Sequence, residues 1–83
     1  MKKNNEKKVV PLDALKAGSE AEIVSMASGN PMLQRLRELG LLPGTRIKLV
    51  RFAPLGDPLE ILVRGSRLCL RRTEANEISV QPL

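Results

Sequence analysis

The chain has no histidine, no tryptophan and no tyrosine. Without histidine it lacks the usual neutral-pH acid and base, the commonest metal ligand, and any Ser-His or Cys-His nucleophile pair. Cys69 is the single cysteine, so no intrachain disulfide is possible and the fold does without the staples of small secreted domains. Phe52 is the only aromatic residue, which leaves the core to aliphatic side chains and removes the stacking platforms that commonly hold single-stranded nucleic acid. A Walker-type glycine loop, a dinucleotide fingerprint and paired carboxylates at a fixed spacing on one face are also missing. No apolar run approaches the ~20 residues of a membrane span, and the lysine-rich start, MKKNNEKKVV, is not followed by the apolar run of roughly 7 to 15 residues that marks a signal peptide. These absences predict a soluble, cytoplasmic, non-enzymatic protein with no cofactor and no strong intrinsic metal centre.

What is present suits one small domain. Across 83 residues, 42% are hydrophobic and 28% charged, too apolar for disorder throughout. The formal charge of +5 favours encounter with polyanions or acidic protein surfaces without naming either. Residues 1–10 read as a mobile basic tail and 11–83 as the folded domain.

Along the chain, PLDALKAGSEAEI predicts a helical turn at 12–16, closed by Gly18, and a strand over 20–26 whose alternation is imperfect. SGNPMLQRLRELG carries the strongest helix signal. Asn30 is the N-cap and Pro31 the first helical position, and Met32, Leu36 and Leu39 form the expected apolar stripe with Leu33 beside it. Gly40 ends this helix, and Pro43 and Gly44 take the central positions of a type II turn. In the strand over 45–53, Val50 and Phe52 fall on the face of Arg46 and Lys48, so its end needs cover on both faces. Strands at 58–65 and 66–71 follow, joined by Gly65 and Ser66 as a type II′ hairpin. Thr73 is the expected N-cap of a last helical turn before a closing strand at Ile78 and Val80. The sum is a small antiparallel barrel of about five strands with one inserted helix and short helical turns.

Between the third and fourth of these elements, Pro54, Gly56, Asp57 and Pro58 punctuate the chain. Pro54 fixes a turn φ, Gly56 tolerates the exit, and Asp57 before Pro58 is pushed toward an extended conformation. Turn chemistry accounts for the segment. A lone Asp57 with no histidine and no second nearby carboxylate is a poor cation site. Cys69, flanked by Leu68 and Leu70, reads as a structural thiol. The arginines on the helix (Arg35, Arg37), on the third strand (Arg46, Arg51) and around the last hairpin (Arg64, Arg67, Arg71, Arg72) read first as a solvated basic surface.

The ordered stretches LRELGLLPGT, APLGDPLEILVRG and LCLRRTEANEISV resemble the FeoA family, small proteins of bacterial ferrous-iron uptake, from about Pro11 to Val80. The family pattern runs through Leu36 to Gly44, Pro54 to Pro58 and Leu70 to Ala75, with Leu39 where the family often has Met. The resemblance implies an SH3-like barrel, a non-enzymatic role beside the FeoB permease, and a family-level association with transition metal ions that assigns no ligand here. It implies structural roles for Gly40, Pro43, Gly44, Pro54, Gly56, Asp57, Pro58 and Gly65. The same barrel resembles the C-terminal domain of DtxR-type repressors, whose DNA-binding and dimerisation domains precede it, where this chain has only its first ten residues.

Two expectations follow. The first is an accessory protein that binds the cytosolic part of an FeoB-type permease, with no small-molecule substrate. Its contact surface is then the exposed side of the helix with the following turn, using Arg35, Arg37, Leu41 and Leu42. The second is a basic barrel acting in nucleic-acid binding or metal-dependent transcription regulation.

Overall fold

A computed structural model of the chain describes residues 8–83. The expected basic tail therefore falls, for residues 1–7, outside the described residues. Among the described residues, Val10 pairs in a strand with Val80.

Among the described residues, six antiparallel strands form one sheet: β1 (Val10–Pro11), β2 (Glu20–Met26), β3 (Arg46–Phe52), β4 (Leu59–Val63), β5 (Ser66–Leu70) and β6 (Ile78–Pro82). The expected five omit β1, a two-residue strand too short to show an alternation of its own. Helix α1 (Pro31–Glu38) is inserted between β2 and β3, and a short helix α2 (Arg72–Ala75) lies between β5 and β6. A 3-10 turn at Leu12–Ala14 follows β1. The strand order is β1-β6-β2-β3-β4-β5, so the ladder has two ends, β1 and β5, and hydrogen bonding alone does not close it. Each end strand runs directly into a helical turn, and those two turns meet. Asp13 in the 3-10 turn pairs with Arg72 of α2 at 3.6 Å and accepts from Asn76 at 3.3 Å.

The core is aliphatic, as a chain with one aromatic residue requires. Leu12, Ala21, Ile23, Leu33, Leu49, Leu59, Ile61, Leu70, Ile78 and Val80 are among its fully buried side chains. Burial of these groups is the main stabilising term.

Two β-bulges explain the faults in the strand patterns. In β2, Ile23 pairs with Val80 and Ser25 with Ser79, leaving Val24 as the extra residue, so Met26 returns to the core side. In β3, Leu49 pairs with Ile61 and Arg51 with Glu60, leaving Val50 extra. Phe52 thereby packs against the core, and the strand end does not need the cover on both faces that a regular alternation suggests.

The last hairpin turns at Arg64 and Gly65, one residue earlier than expected. Both have positive φ, 52° and 81°, and Val63 pairs with Ser66, so the turn is type I′ rather than II′. The error is one of register: a two-residue loop could start at Arg64 only if a non-glycine residue accepted the left-handed region. Likewise α2 begins after Arg71, not Thr73. Glu74 accepts the Arg71 N–H at 2.9 Å, which anchors the first turn where a threonine hydroxyl was expected to do so.

Candidate functional site

Helix α1 starts as the sequence dictates, with Pro31 at its first position and the Asn30 side chain accepting the Met32 N–H at 2.9 Å. Its end is a Schellman motif. Gly40, at φ 106°, donates to Arg37 O at 3.0 Å, and Leu41 donates to Leu36 O at 3.1 Å. This motif places the residue after glycine against the third residue from the helix end. Leu41 is accordingly fully buried beside the buried Leu36. The expectation of an exposed Leu41 is therefore corrected, and the reason was legible in the spacing Leu36-x-x-x-Gly40-Leu41.

The turn after it closes with Thr45 N–H on Leu42 O at 3.0 Å, with Gly44 at φ 91°. Leu42 stays 43% exposed.

The apolar face of α1 also differs from the expected one. Leu33 and Leu36 are buried, while Met32 is 48% and Leu39 56% exposed. At about 100° per residue, Met32, Arg35 and Leu39 lie within roughly 60° of arc, on one flank of the buried pair. A stripe drawn through Met32, Leu36 and Leu39 was thus centred one side too far. The helix presents a half-exposed apolar strip, Met32 and Leu39, with Arg35 along its outer edge.

Arg37 is not free for a partner in the way Arg35 is. Its guanidinium donates to Ala27 O at 3.0 Å and to Met26 O at 3.4 Å, tying α1 to the end of β2. Of the four residues expected to form a contact surface, Arg35 and Leu42 are exposed, Arg37 is engaged with backbone, and Leu41 is core.

The loop from Pro54 to Pro58 does structural work. Gly56 donates to Ala53 O at 2.7 Å with φ 87°, and Ala53 donates to Pro58 O at 2.8 Å. Asp57 accepts the Arg72 N–H at 3.1 Å, so a carboxylate 15 positions upstream caps the start of α2. The Arg72 guanidinium lies 5.3 Å from the Phe52 ring centre, above its face. An open hollow beside the loop is lined by Asp57, Pro58 and Arg71. Among the described residues, no three His, Cys, Asp or Glu side chains gather as metal ligands would.

Cys69, read as a structural thiol from its leucine neighbours, is exposed on the outer side of β5, opposite Glu60. Strand alternation puts Leu68 and Leu70 inward and Cys69 outward. The remaining arginines are partly spent within the chain. Arg51 and Arg67 share Glu60 at 3.4 and 2.9 Å. No helix among the described residues is long and apolar enough to cross a membrane.

With this geometry in hand, comparison with known proteins is specific. The family described as the FeoA domain matches residues 10–82. A fusion of Fe(2+) transport protein A with the Fe(2+) transporter FeoB, from Porphyromonas gingivalis, is 33% identical over 84% of this chain, which spans only 8% of that protein's length. The solution structure of the FeoA protein from Chlorobium tepidum has a TM-score of 0.84 and 46% identity, covering 89% of this chain and 70% of that one. The zinc-complexed crystal structure of Stenotrophomonas maltophilia FeoA, described as a prokaryotic SH3 domain protein, has a TM-score of 0.73 and 32% identity, covering 83% and 86%. A manganese-dependent transcriptional repressor has the same fold, with a TM-score of 0.82, at only 16% identity and over 44% of its own length, a likeness of fold alone.

Proposed function

The chain belongs to the FeoA family, and from that premise we propose that it serves ferrous-iron uptake as a non-enzymatic accessory protein that binds the cytosolic region of an FeoB-type permease. The observation that carries this reading is the Porphyromonas gingivalis relative, in which a homologous segment and FeoB share one polypeptide. Fusion holds the two at high effective concentration. A separate chain of the same family needs a binding surface to obtain the same proximity.

The α1 flank suits that task. Met32 and Leu39 expose apolar area that the fold leaves uncovered, Leu42 adds to it from the following turn, and Arg35 offers a bidentate donor for a carboxylate. Interfaces of this type rest on a few apolar and arginine anchors within a polar rim. Gly40, Pro43 and Gly44 hold the strip in place rather than touch the partner, and Pro54, Gly56, Asp57, Pro58 and Gly65 shape the loop before β4 and the last hairpin.

The test is binding of the purified chain to the soluble region of the permease, by calorimetry or co-purification, over a range of salt and nucleotide states. Saturable association at near-physiological salt supports the proposal. No association in any state, together with a salt-sensitive gel shift of nucleic acid, overturns it in favour of a polyanion-binding role.

A further inference from the structure

Strand β5 ends the sheet, and the groups left at that end can be named. The turn at Arg64 and Gly65 closes on Val63 and Ser66, which in a two-residue hairpin is a hydrogen-bonded pair. Antiparallel ladders alternate bonded with non-bonded pairs, so Ile61 with Leu68 and Leu59 with Leu70 are the next bonded pairs. The N–H and C=O groups of Arg67 and Cys69 therefore point away from β4. Among the described residues, none of the backbone bonds outside the ladder uses these four groups, and Ser66, Arg67 and Cys69 are all exposed.

An unpaired edge is a template for another strand. Charge decides which. Arg64 in the turn, Arg67 within β5 and Arg71 just after it are exposed, and the one carboxylate opposite, Glu60, is already shared by Arg51 and Arg67. No carboxylate lies within ion-pair reach of Arg64 or Arg71 among the described residues. A second copy of β5 would bring arginines toward arginines, and the chain's own start, MKKNNEK, is lysine-rich. The edge also adjoins the α1 surface. A Cβ built on Gly40, the glycine that ends α1, would come within 4.0 Å of the Arg64 Cδ.

We propose that the β5 edge binds an extended, acidic segment of the permease as an added strand, paired through the backbone of Arg67 and Cys69 and held by Arg64 and Arg71. This rests on the permease reading above and names the second half of its contact surface.

Amide hydrogen exchange of the full chain, alone and saturated with the soluble region of the permease, tests it directly. The Arg67 and Cys69 amides are expected to slow about ten-fold or more on binding, while Leu68 and Leu70, already bonded to β4, do not change. Cys69→Pro removes an outward donor at an edge position, where proline is tolerated. It is expected to weaken binding about ten-fold, whereas Cys69→Ser binds as the native chain does. Arg64→Glu combined with Arg71→Glu is expected to weaken binding and flatten its salt dependence. Should Cys69→Pro fail to fold, the exchange data on the native chain decide alone. Binding that persists with unchanged exchange at Arg67 and Cys69 overturns the edge proposal and leaves the permease reading intact. No binding by the native chain overturns both. A dimer of the chain alone that Cys69→Pro dissolves overturns the choice of occupant.

Discussion

Around α2, Asp13, Asp57, Arg72 and Glu74 all find partners within the chain, at 2.9 to 3.6 Å; around α1, Met32, Leu39 and Leu42 are left about half exposed. The first region bridges the two ends of the sheet, where strand pairing stops and something else must hold β1 near β5. Its polar groups are consumed by that job. The second is fixed from beneath by Leu33, Leu36 and Leu41 and from the side by Arg37, and about half of each side chain on its outer flank is left to solvent. Leu55, 96% exposed at the tip of the loop beside α2, stands singly and needs no such explanation.

Several substitutions probe how cleanly these duties divide. Leu41→Ala cuts beneath the strip and is expected to lower unfolding free energy by about 2–5 kcal/mol, read by urea denaturation. Removing the strip itself, with Met32→Ser and Leu39→Ser together, is expected to weaken permease binding about ten-fold, or about 1.4 kcal/mol, by calorimetry. The same double variant should lose about 1 kcal/mol of stability or less, since each side chain is only half covered. Asp57→Ala should do the reverse, costing about 1 kcal/mol of stability through the lost cap on α2 while leaving permease affinity unchanged. If it weakens binding instead, the two regions are not independent. The smallest effect is expected from Arg51→Ala, which breaks an exposed pair with Glu60 worth about 0.5 kcal/mol or less in thermal melts.

Much of this fold could be read from local chemistry. The Asn30-Pro31 start of α1, the Pro43-Gly44 turn and the inward faces of β4 and β5 each depend on residues close in sequence. What escaped was whatever depends on distant pairing. The bulges at Val24 and Val50 are defined only against β6 and β4, and no local pattern announces them. The cap that Asp57 supplies to Arg72 joins residues that only the tertiary structure brings together. The two-residue strand β1 exists because Val80 lies opposite Val10. Leu41 is the exception, since the Schellman spacing was present in the sequence and pointed inward. For the contact surface, charge drew attention to Arg35 and Arg37 alike, yet only the fold shows that Arg37 is spent on two carbonyls. The exposed Met32 and Leu39 were hidden by the opposite assumption, that leucine and methionine on a helix face the core.

The bulges also say where this polypeptide has slack. Because Leu49 and Arg51 already oppose consecutive residues of β4, the chain could drop Val50 and keep every other partner in place, straightening the strand while each remaining side chain stays on its side. Val24 occupies the same kind of spare seat in β2. Losing any neighbour instead would turn half a strand inside out, so length in this small protein is adjustable at two particular points and almost nowhere else along its walls.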